Sequence, residues 1–166
     1  IFSQDIDKNW FLQPLVSESM FLIANDDFLK IYHLEDYLKL GSIPLKALAK
    51  LPLALPGTNH GLRKLVEQQQ IELNVTYEID GLSLLMNTVS NLCVATIQPG
   101  SAFINHRHQH LNFLKVVDPS IDRTNYLISF PEDELSPASL AAKSVIRACI
   151  HDLIEQQAWP SAKKVE

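Results

Sequence analysis

Glycine is scarce in this chain and cysteine scarcer: 166 residues hold five of the first and two of the second. So few glycines leave little room for phosphate loops, and neither a Walker pattern nor a Gly-x-Gly-x-x-Gly fingerprint occurs. Cys93 and Cys149 lack metal-type spacing. Each stands in an apolar stretch and reads as a buried free thiol in a reducing compartment, with a disulfide left open. Positive charge is also short: 14 Lys and Arg face 19 Asp and Glu, for a formal net charge of −5. A chain so charged does not grip nucleic acid by itself. No apolar run approaches the roughly 20 residues that span a bilayer, so no membrane partner is expected. There is no Gly-x-Ser-x-Gly elbow, and no cysteine has neighbours that would lower its pKa. Carboxylates stand singly or in solvated clusters such as Glu132-Asp133-Glu134, so no catalytic residue and no cofactor are expected. The start, Ile1-Phe2-Ser3-Gln4-Asp5, has no initiator Met and no basic segment before an apolar core. It reads as part of a longer protein, without a signal peptide.

What is present is an ordinary globular composition, 46% hydrophobic and 20% charged. Met20-Phe21-Leu22-Ile23-Ala24 suits a buried strand, and residues 28–43 read as loop. Pro44–Ala49 forms a short helix, Leu53–Leu55 a strand, and residues from Thr58 to about Gln70 a helix with Leu62, Leu65 and Val66 on one face. Residues 74–79 are β-rich. Asp80 then caps a helix in which Leu82, Leu85, Met86 and Val89 recur at helical spacing. Further strands fall at 94–97, 113–117 and 125–130. A last helix starts at Ser136-Pro137 and carries a wide apolar face from Ala142 to Ile154. Strands alternating with helices imply βαβ units and a largely parallel sheet.

Three strand-to-helix junctions share one grammar: Pro56-Gly57-Thr58-Asn59-His60, Ile79-Asp80-Gly81 and Ile97-Gln98-Pro99-Gly100. The first N–H groups of a helix lack partners within it and carry the positive end of its dipole, which suits a carboxylate or phosphate. In open α/β sheets such loops converge outside the carboxyl ends of the strands, so the three junctions suggest one cleft. Thr58 and Asn59 could donate side-chain hydrogen bonds there, and His60 or Arg63 could add charge. The same loop also reads as a plain tight turn. His106-Arg107-His108-Gln109-His110 could present alternate histidines to zinc or nickel, but no Cys, Asp or Glu stands nearby to complete a set. A solvated loop with no metal is the better reading.

Taken in order, the segments resemble the effector-binding region of LysR-type bacterial transcriptional regulators. The resemblance begins at Gln13-Pro14-Leu15-Val16-Ser17-Glu18 and the strand 20–24. It continues through Ile43–Leu48, Leu51–Pro56 and His60-Gly61-Leu62-Arg63, then Glu78–Leu82 and Leu92–Pro99. It closes on Tyr126-Leu127-Ile128 and Leu135-Ser136-Pro137-Ala138-Ser139. Asn91-Leu92-Cys93 stands where the family usually has Gly-Leu-Gly.

The resemblance implies an α/β fold of the type 2 periplasmic-binding-protein kind: the second lobe plus the closing part of the first. Residues 1–24 would end the first lobe and cross over, 25–118 would form the second lobe, and 119–166 would return to the first. It implies a small-molecule effector, an organic acid by the junction chemistry, bound between the lobes. The contacts would come from Gly57, Thr58, Asn59, His60, Asp80, Gly81, Gln98 and Pro99. It further implies a cytoplasmic homodimer or tetramer that acts on promoter DNA, and on RNA polymerase, through an N-terminal helix-turn-helix outside this chain. A periplasmic solute-binding protein of the same architecture is the alternative. With part of the first lobe's sheet absent, the piece is expected to self-associate.

Overall fold

A fifteen-residue strand, β1 (Phe11–Asn25), runs through the molecule and changes character midway. The computed structural model describes residues 10–103, 110–159 and 161–165. The first half of β1 is mixed and carries Pro14, and its register against a later strand shifts between Pro14 and Val16. Proline offers no N–H to a ladder, so the break falls where the sequence forces it. The second half is apolar and buried on both faces. Met20, Leu22 and Ala24 enter one core cluster, and Ile23 enters another.

The chain continues through α1 (Asp26–Ile31), α2 (Glu35–Leu40), β2 (Ser42–Pro44) and a 3-10 turn at Leu45–Lys50. Then come β3 (Leu53–Leu55), α3 (Gly61–Glu67), β4 (Val75–Glu78), α4 (Leu82–Asn91) and β5 (Thr96–Pro99). After a 3-10 turn at Gly100–Phe103, β6 (Leu111–Val117), β7 (Asp122–Ser129), α5 (Pro137–Glu155) and β8 (Ala162–Lys164) complete it. The stretch 28–43, expected as loop, holds most of α1 and all of α2. Asn25 accepts from the Phe28 N–H and Asp26-Asp27 fill the first turn of α1, a start signal the sequence displays. Gly41, at φ 67°, ends α2 in the left-handed conformation that glycine takes without a Cβ penalty.

The expected largely parallel sheet is not what forms: among the described residues the four pairings of β1 are all antiparallel, and parallel pairing is confined to β2 with β6 and β3 with its neighbours. β2 runs parallel to β6, β3 parallel to β4, and Leu53 bridges Ala95 in parallel. The second half of β1 runs antiparallel to both β5 and β6. Its first half pairs antiparallel with β7 and β8. One strand therefore joins two sheet regions. The region built on β5 and β6 carries the core: α1 and α3 contribute Phe28, Leu29, Leu62 and Val66 to one cluster, joined by Leu34 from the turn before α2, and α4 contributes Leu85, Met86 and Val89 to the other. Alternation along β3 sends Leu53 and Leu55 to the first cluster and Ala54 to the second.

Two further sequence expectations change. Cys93 and Cys149 are free but exposed, not buried. Cys93 falls in the connection after α4, and Cys149 lies on the open side of α5. The helix expected from Thr58 starts at Gly61, with His60 as its cap. Residues 106–109 lie outside the described residues, and His110 is exposed.

Candidate functional site

The parallel strands β3, β4 and β5 end on the same edge, and the loops that follow them meet there. A recess of about 250 Å³ opens between them, lined by Pro56, His60, Ile79, Asp80, Gln98 and Pro99 from the three junctions. Leu62, Leu82, Leu85, Ser101, Ala102 and Arg123 complete the wall. Of the residues singled out in the sequence, His60, Asp80, Gln98 and Pro99 therefore share one surface. Gly57 is tied to it by a hydrogen bond, whereas Thr58, Asn59 and Gly81 lie beside the recess and do not line it.

The carboxylate of Asp80 does not cap its own helix. Gly81 is the N-cap of α4 and no side chain caps it. Asp80 Oδ1 instead accepts from the Gly57 N–H at 2.9 Å, locking the first junction to the second. A Cβ at Gly57 would stand 3.4 Å from that oxygen, an ordinary contact, so the clasp rests on the Gly57 N–H and not on the residue's size. His60 caps α3 with its ring: Nδ1 accepts from the Leu62 N–H at 3.2 Å. That nitrogen must then be unprotonated, which leaves Nε2 to carry the hydrogen. Arg63 brings no charge to the recess. Its Nε donates to Glu67 at 2.6 Å and its Nη1 lies 3.7 Å from Glu78.

Among the described residues the cation of the recess is Arg123, which the sequence reading did not single out. Arg123 sits near the start of β7 and is 23% exposed, and its Nη2 donates to Glu18 Oε1 at 2.8 Å. Glu18 lies on β1 and is fully buried. Its Oε1 also accepts from Asn125 Nδ2 at 2.8 Å, and its Oε2 accepts from the Ser101 N–H at 3.2 Å. Burial pushes the Glu18 carboxyl up. The hydrogen bonds from Arg123 and Ser101, with the Arg123 charge, outweigh it and hold the group below its ordinary value. Glu18 thus joins the third junction to β7 across the bottom of the recess. No local motif could have disclosed the pair, because Glu18 and Arg123 are 105 residues apart.

A larger hollow of about 360 Å³ lies between β1 and α5, beside Arg147, His151 and Lys164. Lys164 Nζ there lies 2.7 Å from His151 Nε2 and 3.1 Å from Glu155, while the buried Gln13 Oε1 has no partner among the described residues. Among the described residues no group of His, Cys, Asp and Glu is arranged to hold a metal. No described helix is long and apolar enough to cross a membrane.

The family model for the LysR substrate binding domain matches residues 2–150. No curated protein matches the chain. Among solved structures, the effector binding domain of QuiR in complex with shikimate is similar with a TM-score of 0.69 at 21% identity, covering 86% of this chain and 66% of that one. The Synechocystis PCC6803 CcmR regulatory domain in complex with 2-PG gives 0.70 at 15% identity, covering 90% and 70%. A reduced form of OxyR from N. meningitidis gives 0.70 at 14% identity, covering 99% and 72%. The chain thus spans 66% of the QuiR domain's length.

Proposed function

The chain belongs to the LysR substrate binding domain family, and from that premise we propose that it senses a small organic acid in the recess where β3, β4 and β5 end. The fold is the type 2 periplasmic-binding-protein kind, and the family match favours a transcriptional regulator over a periplasmic solute-binding protein. A ligand-sensing domain needs no nucleophile, and the reading assigns no catalytic residue. The observation that carries it is the convergence of the three junctions with Arg123 on one wall, where a cation faces the place a ligand would occupy. Similar domains hold shikimate and 2-PG. We assign the contacts to His60, Asp80, Gln98 and Pro99, with Gly57, Thr58, Asn59 and Gly81 shaping the rim.

Residues 25–118 form one lobe in this reading. Residues 1–24 end the other lobe and cross over, and 119–166 return to it, so β1 is the crossing strand. A ligand that binds one relation of the lobes better than another shifts the population by its differential affinity, a few kcal/mol for a useful switch. The regulator works in the cytoplasm as a dimer or tetramer. The shift reaches promoter DNA, and RNA polymerase, through a helix-turn-helix elsewhere in the full-length protein.

The test is calorimetry and thermal shift on the chain with shikimate, 2-PG, di- and tricarboxylates, aromatic acids and amino acids. At least one acid is expected to bind and raise the melting temperature. Leu82→Trp, which fills the rim from an exposed position, is expected to weaken that binding by about tenfold or more. If no acid binds, or if Leu82→Trp leaves affinity unchanged, the recess is not the site.

A further inference from the structure

The recess carries two opposite charges, and the unlike pair restricts what can fill it. Arg123 and Asp80 both line it. The charge of Glu18 is already committed to Arg123, Asn125 and the Ser101 N–H. Arg123 nevertheless keeps donors to spare: a guanidinium has five N–H groups, and Nη2 serves Glu18 while the side chain stays 23% exposed. Asp80 is exposed, and among the described residues its hydrogen bond is the one to Oδ1 from Gly57, which leaves Oδ2 open to water. Any ligand that fills the recess displaces that water. A plain acid would then set its own charge against Asp80 and leave Oδ2 without a donor.

Building on the proposed function, we infer that the recess selects acids that also carry a hydrogen-bond donor, an ammonium or a hydroxyl. The anionic group lies toward Arg123 and the donor lies toward Asp80. Asp80 is thus a specificity-determining residue and not an anion site. An acceptor that loses its water when the recess fills and gains no donor in return discriminates against the analogue that lacks one, and a like charge adds to that discrimination. His60 is compatible with this arrangement, since its Nδ1 is taken up by the Leu62 N–H and adds no free acceptor beside the acid.

Matched acids test the inference by calorimetry: succinate against malate and aspartate, and propionate against lactate and alanine. A donor-bearing member is expected to bind about tenfold or more tightly than its plain partner. Asp80→Asn keeps an oxygen for the Gly57 N–H and removes the charge. It is expected to bring that ratio close to one by weakening the first and strengthening the second. Asp80→Ser, which also keeps an acceptor, is the second variant should the first fail to fold. Plain acids binding as tightly as their partners, or a ratio that survives both substitutions, would overturn the inference. Acids that bind without discrimination, and are blocked by Leu82→Trp, leave the recess as the site and remove only the role of Asp80. If no acid binds, both readings fall.

Discussion

Glu18 shows how one buried charge can order a site made from distant parts of a chain. Taking a carboxylate out of water is costly unless charge and hydrogen bonds replace the water, and here Arg123, Asn125 and the Ser101 N–H do so. Removing the acid while leaving the cation is therefore expensive. Glu18→Ala is expected to lower stability by about 3 kcal/mol, the lower end for a broken buried pair, because Arg123 keeps part of its side chain in water. Denaturant melts would measure it. The pH dependence follows from the same group. Its folded pKa lies below the ordinary value of 4.5, so its contribution is fully present above that value and is lost as pH falls through the folded pKa. Glu18→Gln is expected to flatten the acid side of the stability–pH curve, and an unchanged acid limb would contradict this. In the sequence Glu18 was visible only as part of a family-like step. The partner that gives it a role arrives with β7.

Among the elements, the joints between helices depend on single polar side chains. Asn25 ends β1, and its Oδ1 accepts from the Phe28 N–H at 2.8 Å to cap α1. Its Nδ2 donates to Val89 O and Leu92 O, both at 2.9 Å, satisfying carbonyls at the end of α4. Asn25→Ala removes a helix cap and strands those carbonyls, so a loss of about 2 kcal/mol is expected. Asn25→Asp should recover only the cap, since a carboxylate cannot donate to carbonyls. If Asn25→Asp melts like the unaltered chain, the link to α4 contributes nothing. The cap half of this device was legible in Asn25-Asp26-Asp27, although the segment read as loop because α1 and α2 are each six residues long and show too few turns for a period. By contrast α5, at nineteen residues with Ser136 accepting from the Ser139 N–H and Pro137 in its first turn, was plain from sequence.

For the whole molecule, the unusual feature is the surface of α5. Its apolar residues hold helical spacing, yet Val145 is 61% exposed, and Ile146 and Leu153 are each 40% exposed. Trp10, Phe11 and Phe130 add further exposed apolar area. Lys143 is the buried residue of the helix, paired with Glu132 at 2.7 Å and set over the Phe11 ring. A contiguous apolar surface in water favours association. Sedimentation of the chain is expected to show concentration-dependent self-association, and Val145→Lys is expected to shift it toward monomer without lowering the melting temperature. A clean monomer across the accessible concentration range would contradict this.

Residue patterns alone determined the class of fold, the α5 helix, the α4 face and the three strand-to-helix junctions. These rest on periods and caps that operate within a few residues of one another. Tertiary structure decided what those junctions contain. It turned Asp80 from a helix cap into a clasp on Gly57, left Thr58 and Asn59 at the rim, and brought Arg123 into the recess on the back of Glu18. Pairing across 105 residues leaves no local signature, because charge and burial act through space and not along the chain.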